Sequence, residues 1–330
     1  MDRFESESIH DPRNLYRIFG LTISSDYSFA NRLLPGSGSP DMTFSCADVA
    51  PISDYWLDVA PCYDISGNDK SGESILSVHR LKDCHIVHYS RIVDFYIWPD
   101  RIVAHLLDPA MRYIVEIRFL GEILSLWMEL NGILALHSSA VVAEGEAVAF
   151  LSTNHGGKSA IAASLMQEGH PLLADDILPI YERNGLFFGR AGYPQMRMWP
   201  DEAEYFLGHH HDLEIVHPWY TKRRVNVGQD GFGSFYGEES PLGILYIPIR
   251  DEMANDEIQI EPVAPGEGVI ELVRNSFSPF IVEALGLQKK RMELFRRLVL
   301  NVPIRKLHYP SGFDHLQGVR AAIIDDIRNL

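Results

Sequence analysis

The chain has 330 residues, 46% hydrophobic and 11% aromatic, enough for one large or two ordinary domains with proper cores. With 45 acidic against 29 basic residues its net charge is −16, which repels nucleic acid and anionic membrane and makes neither an expected partner. Its three cysteines, Cys46, Cys62 and Cys84, lack C-x-x-C spacing and argue against a disulfide framework or structural zinc. No run approaches the ~20 uninterrupted apolar residues of a membrane span, and no basic-then-apolar signal opens the chain. A cytoplasmic protein is expected.

Residues 1 to about 70 are rich in Ser, Asp, Pro and Gly and predict short strands between turns. From Cys84 the pattern is β: 85–89, 93–98, 102–106 and Tyr113 to Ile117, with Pro99-Asp100 as a turn. Near Phe119 the period changes to helical, and Leu120, Ile123, Leu124, Trp127 and Met128 predict a helix to about Asn131-Gly132. Strands follow at 135–142 and 147–151, then a helix from Lys158 to Glu168, and a strand from Pro171 to Ala174. A hairpin around Arg183-Asn184-Gly185 comes next, and the glycine-punctuated run Gly228 to Gly237 reads as a mobile loop. Strands at 242–249, 258–261 and 303–308 and helices at about 266–276, 283–300 and 313–328 complete the chain. The pattern divides the molecule into a β-rich N-terminal domain, residues 1–118, and an α/β domain, residues 119–330.

The strand ending at Leu151 runs into Ser152-Thr153-Asn154-His155-Gly156-Gly157-Lys158-Ser159 and then a helix. A strand, a tight turn and a helix start aim backbone N–H groups and the helix dipole at one spot, which suits a phosphate. Lys158 would reach the β- and γ-phosphates of ATP, and the Ser159 hydroxyl would ligate Mg²⁺. Ser152 departs from G-x-x-x-x-G-K-[ST], because it stands where the first glycine belongs and a positive φ there costs a side chain of order 1 kcal/mol. Asp175-Asp176 lies at the end of a strand expected to run beside the loop strand. One carboxylate would sit near the Mg²⁺ and the other would accept a proton from an attacking hydroxyl.

With these residues in view the chain resembles the HPr kinase/phosphorylase family, and more closely the HPr-kinase-like enzymes of lasso-peptide clusters. The resemblance is carried by Leu136 to Val141, the turn through Lys158-Ser159, Glu168 to Asp176, and Gly192 to Asp201, with a weaker tail at 241–246 and 302–305. It implies a P-loop core of the phosphoenolpyruvate-carboxykinase-like kind, preceded by the β-rich domain, and ATP-dependent phosphorylation of a serine on a peptide precursor. By that likeness Asp175 is the base, Asp176 supports the metal or Lys158, and His137 orients an aspartate. The likeness also allows a homo-oligomer. Gln195 stands where the bifunctional enzymes carry a metal-binding glutamate. A neutral amide is a weaker Mg²⁺ ligand, which weighs against the reverse, phosphorolytic reaction more than against the kinase reaction.

Arg197, and the run Lys222-Arg223-Arg224, would neutralise charge on the transferred phosphoryl group, with the glycine-rich loop giving a lid its freedom to close. His209-His210-His211 reads as a solvated loop, since three consecutive side chains converge poorly on one ion. Two rivals to a peptide kinase stay open at this point. One is an HPr-type protein kinase/phosphorylase or small-metabolite kinase, and the other is a non-catalytic nucleotide- or precursor-binding protein with a degenerate loop.

Overall fold

The computed structural model describes residues 14–66, 74–152, 156–217, 220–251 and 257–330. They form a mixed α/β molecule with two nine-stranded sheets, a three-stranded sheet and several helices. The N-terminal sheet has the order Leu34–Pro35, Asn14–Ile18, Leu21–Ser25, Met42–Ala47, Arg101–Leu106, Val93–Ile97, His85–Tyr89, Ser74–Arg80, Tyr63–Ser66. Its pairs are antiparallel except where Met42–Ala47 meets its two neighbours. Alternation divides its faces: Val93, Phe95 and Ile97 join the main N-terminal core, while Tyr96 joins Trp56, Cys84 and Ile86 on the other face.

Tyr113 to Ile117, expected as a strand, is helical. Asp108 accepts a hydrogen bond from the Ala110 N–H (2.9 Å) and Pro109 supplies a preset φ, so the chain enters a helix at Arg112–Arg118. A wider turn at Phe119–Ile123, where Gly121 leaves helical geometry, leads into Leu124–Leu130. Ile114, Val115, Phe119, Ile123 and Leu124 are all buried, which a helix achieves and an alternating strand does not. Residue 118 lies inside this run. The core that holds Phe44, Phe95 and Phe119 also takes in Ile177, Tyr193, Ile281 and Leu285 from farther along the chain.

The second sheet runs Leu134–Leu136, Leu178–Arg183, Leu186–Gly189, Ser240–Asp251, Glu146–Leu151, Ser138–Ala143, Leu172–Ala174, with Ile304–Pro310 also paired to Ser240–Asp251 and Gln259–Pro262 beyond it. Glu146–Leu151, Ser240–Asp251 and Ile304–Pro310 are mutually parallel, so their carboxyl ends share one edge. Helices cover both faces. Val148 and Phe150 pack with the helices Lys158–Gln167 and Leu316–Arg328, while Ala147, Ala149 and Leu151 pack with Pro265–Arg274 and Gln288–Asn301. The predicted helix at 283–300 is two, Pro279–Ala284 and Gln288–Asn301, separated at Gly286, whose φ is 72°. Between the N-terminal core and these helices the guanidinium of Arg291 meets Glu129 (2.6 Å), both side chains being almost fully buried.

The Gly228–Gly237 segment, expected to be mobile, is tied at both ends of its course. The Leu172 N–H donates to Ser234 O and the Tyr236 N–H to Leu172 O, both at 2.8 Å, and the Arg32 guanidinium donates to Gln229 O (2.6 Å). Its glycines answer to close packing as much as to freedom, since a Cβ on Gly231 would collide with Asn226 O. Among the described residues no helix is long and apolar enough to cross a membrane.

Candidate functional site

The strand Glu146–Leu151 ends at the sheet edge, and the helix Lys158–Gln167 begins there on Gly157 at φ 81°. Thr153, Asn154 and His155 lie outside the described residues. Ser152 is buried, and its φ is not positive, so the strain expected from the missing glycine does not arise; the left-handed position falls on Gly157 instead. That glycine is obligatory for a second reason. A Cβ on it would meet the Tyr309 hydroxyl and come within 2.9 Å of Arg250 Nη2.

Leu172–Ala174 does not run beside the loop strand, as the sequence suggested. Ser138–Ala143 lies between them, antiparallel to both. Two reversals restore the direction, so Ala174 and Leu151 still end at the same edge, with the start of Ser138–Ala143 between them. The intervening strand contributes a residue that sequence reasoning quoted without giving it a role: Ser139.

Asp175 and Asp176 leave the strand in a turn, with Asp176 at φ 71°, a conformation that aspartate tolerates better than most side chains. They face different partners. Asp175 is buried and accepts three hydrogen bonds: from the hydroxyls of Ser139 and Ser159 (the latter 3.0 Å) and from the Arg197 N–H (2.8 Å). Asp176 takes the Arg197 guanidinium at 2.7 Å, and His137 Nδ1 stands 3.6 Å from its other oxygen. Burial would raise the Asp176 carboxyl, but Arg197, His137, Lys222 and Lys158 together hold it well below the usual carboxylate range. His137, between two short strands and anchored by its N–H on Asn275 O (2.7 Å), is pushed by burial toward the neutral form.

Arg197 is brought in by a segment bound to the same strand end, where the Gly192 N–H donates to Leu173 O (2.8 Å); the strand Gln195–Met198 then carries it past Asp175. Gln195 is buried and its amide oxygen makes no hydrogen bond. Lys158 is 4% exposed, and burial lowers its pKa against the pull of Asp176. Lys222, on Tyr220–Asn226, lies over the Trp199 ring at 5.1 Å and its charge acts on Asp176, Lys158 and Glu202. Its two neighbours do not join it. Arg223 donates to Leu213 O, and Arg224 pairs with Glu214 at 2.9 Å. The histidine run is also committed elsewhere, His209 to Asp212 and His210 to Glu204.

Ser159 and Asp175 offer Mg²⁺ two oxygens 3.0 Å apart at a helix start. Among the described residues no group of three or more His, Cys, Asp or Glu could cage an ion. Mg²⁺ takes one or two carboxylates and completes its shell with phosphates and water, so Ser159 and Asp175 could serve as its protein ligands. The carboxylate that meets Ser159 is Asp175, at 3.0 Å, whereas the sequence reading placed Asp176 beside the metal.

Glu202, Arg250 and Tyr309 escaped sequence reasoning. Glu202 is the third residue of the helix Pro200–Leu207 and accepts from the Trp199 N–H (2.8 Å). Burial raises its carboxyl to about 7, with that N–H and Lys222 opposing. A carboxyl raised in the fold gives stability that is full below its unfolded pKa and lost as pH rises through the folded one. Thermal melts should therefore show the protein losing on the order of 1–3 kcal/mol between about pH 5 and 8, and Glu202→Gln should flatten that slope. Parallel slopes for the two proteins would contradict the assignment.

No protein-family model matches the chain, and neither does any curated protein. Among solved structures it is similar to the Hpr(Ser) kinase/phosphatase from Coxiella burnetii, with a TM-score of 0.31 and 13% identity, over 59% of this chain and 94% of that chain.

Proposed function

We propose that the protein is an ATP- and Mg²⁺-dependent phosphotransferase of the P-loop kind, acting on a serine hydroxyl of a small peptide or peptide precursor. The observation that carries the reading is the meeting of Ser159 Oγ and Asp175 Oδ1 at 3.0 Å, beside the buried Lys158 and at a helix start. Backbone N–H groups and the dipole of Lys158–Gln167 would hold the phosphates, Lys158 would neutralise them, and Ser159 with Asp175 would hold a Mg²⁺ that supplies further charge neutralisation. Asp175 already accepts from three donors and is given to the metal in this reading, so it is poorly placed to take a proton.

Asp176 is the better base. In the free protein Arg197 keeps it ionised and occupied. A transferring phosphoryl group competes for the Arg197 fork, and as the guanidinium turns to the phosphate the Asp176 oxygen becomes a stronger acceptor. Neutral His137 then holds the carboxylate toward the acceptor hydroxyl. The acceptor class comes from the resemblance of 134–201 to the lasso-type enzymes, and the β-rich N-terminal domain is the surface that would recognise it.

Calorimetry tests the metal assignment. Wild-type protein should bind ATP tightly only with Mg²⁺, and Asp175→Asn should raise the Mg²⁺ concentration required by roughly 10–100-fold. An unchanged requirement would remove Asp175 from the metal.

A further inference from the structure

Ser159 faces Asp175, and Ala160, one residue on and rotated by about 100° around the helix, faces elsewhere. It lines a cavity of about 480 Å³ together with Trp199, Glu202, Arg250, Tyr309 and Phe313, a size within the ~300–1,000 Å³ range of small-ligand pockets. The cavity sits at the carboxyl-end edge shared by the parallel strands Glu146–Leu151, Ser240–Asp251 and Ile304–Pro310. Arg250 and Tyr309 stand near the ends of the last two, and both reach across Gly157. They therefore border both the cavity and the helix start.

Tyr309 gives the second, independent sign of a ligand. It is 2% exposed, and its hydroxyl makes no well-formed hydrogen bond, with the Arg250 guanidinium as the polar group beside it. A poorly satisfied buried hydroxyl is costly, so such a group at a cavity wall is expected to serve what enters the cavity. The rest of the wall combines the rings of Trp199 and Phe313 with two carboxyls, Asp201 and Glu202, two hydroxyl side chains and one guanidinium. Two aromatic rings suit an aromatic heterocycle, carboxyls and hydroxyls suit the amino and hydroxyl groups of a nucleoside, and a guanidinium beside a helix start suits a phosphate.

We propose that this cavity holds the nucleoside end of the donor nucleotide, with a purine base between the Trp199 and Phe313 walls and Tyr309 and Arg250 along the ribose and α-phosphate. The inference rests on the phosphotransferase reading, because a triphosphate lying from Ser159 and Asp175 across the helix start brings its nucleoside to Ala160.

Calorimetry on the full chain with Mg·ATP and, separately, Mg·tripolyphosphate distinguishes the two layers. Ser311 lines the cavity from an exposed position, so Ser311→Trp fills it without disturbing the core. That variant should bind ATP at least about tenfold more weakly, the scale of a lost base–aromatic stack, and tripolyphosphate as wild type does. Tyr309→Phe, which keeps the ring, should weaken ATP about three- to tenfold and leave tripolyphosphate unchanged, and it decides the matter if Ser311→Trp fails to fold. ATP bound equally by both variants and wild type, or both ligands weakened alike, overturns the cavity's role. Wild-type protein that binds neither ligand overturns the phosphate site itself, and the cavity's role with it.

Discussion

Asp176→Asn is expected to slow phosphoryl transfer by roughly 10²–10⁴-fold, the usual contribution of a positioned base, while Mg·ATP affinity stays as in the wild type. The substitution is mild in every respect but one. Asparagine adopts positive φ as readily as aspartate, so the 71° backbone of residue 176 is kept. Its amide oxygen still accepts from Arg197, which spares that partly buried guanidinium an unpartnered state. Asp175, Ser159 and Lys158, the groups proposed to face the nucleotide, are untouched. What goes is the negative charge that accepts the proton. Single-turnover transfer measured beside equilibrium nucleotide binding separates the two effects. The opposite distribution, Asp175→Asn silent in transfer with binding intact and Asp176→Asn active, would return the base to the residue that the sequence resemblance favours.

Lys158→Met should do two things of opposite sign. Mg·ATP binding should fall by about 10²-fold or more, because in the proposed site the buried ammonium would contact the β- and γ-phosphates and a hydrogen-bonded charge contact is worth about 1.5–3 kcal/mol or more. The free protein should become more stable. Burial lowers the Lys158 pKa despite Asp176 and Asp175 nearby, so the fold holds the ammonium at a net cost in the absence of phosphate. Methionine has similar length and no charge to desolvate, and a gain of about 1 kcal/mol in thermal or urea unfolding is the expected scale. A loss of stability together with unchanged nucleotide binding would mean that Lys158 is a structural cation, paired with the aspartates. Gain and loss in one variant mark a residue kept for function at the expense of the fold.

How much of this was readable without coordinates depended on whether a feature is local. The helix at Lys158, its entry through two glycines, the end of the strand at Ala174 and the turn around Asn184-Gly185 are set by neighbouring residues, and each stands within a residue or two of its expected place. The meeting of Asp175, Asp176, Lys158 and Ser159 at one edge could be expected for the same reason. Tyr113 to Ile117 misled because branched and aromatic side chains suit strands, while the deciding signal, Asp108-Pro109 as a helix entry, lies just before them. The pairing of the two aspartates with different partners was not legible. It depends on Ser139 and Arg197, which reach Asp175 from 36 and 22 residues away.

Arg250 and Tyr309 were still farther out of reach, since a parallel register between Ser240–Asp251 and Ile304–Pro310 has no local signature. Lys222 separates from Arg223 and Arg224 because Leu213 and Glu214 claim the other two. A run of three like charges gives no hint of that. Ser152 looked costly only under the assumption that its position needs a positive φ, and the backbone places that demand on Gly157.

The central claim is that Ser159, Asp175, Lys158 and Asp176 together move the γ-phosphoryl group of ATP to a serine hydroxyl. Its most direct test is to incubate the wild-type chain with γ-labelled ATP, Mg²⁺ and serine-bearing peptides, and to follow label into the peptide by mass spectrometry. Mg²⁺-dependent phosphoserine, absent when Asp176→Asn replaces the wild type, is the predicted result. Folded protein that binds Mg·ATP and transfers no label to any serine acceptor, including one verified with another kinase, would contradict it and leave a nucleotide-binding protein in place of an enzyme.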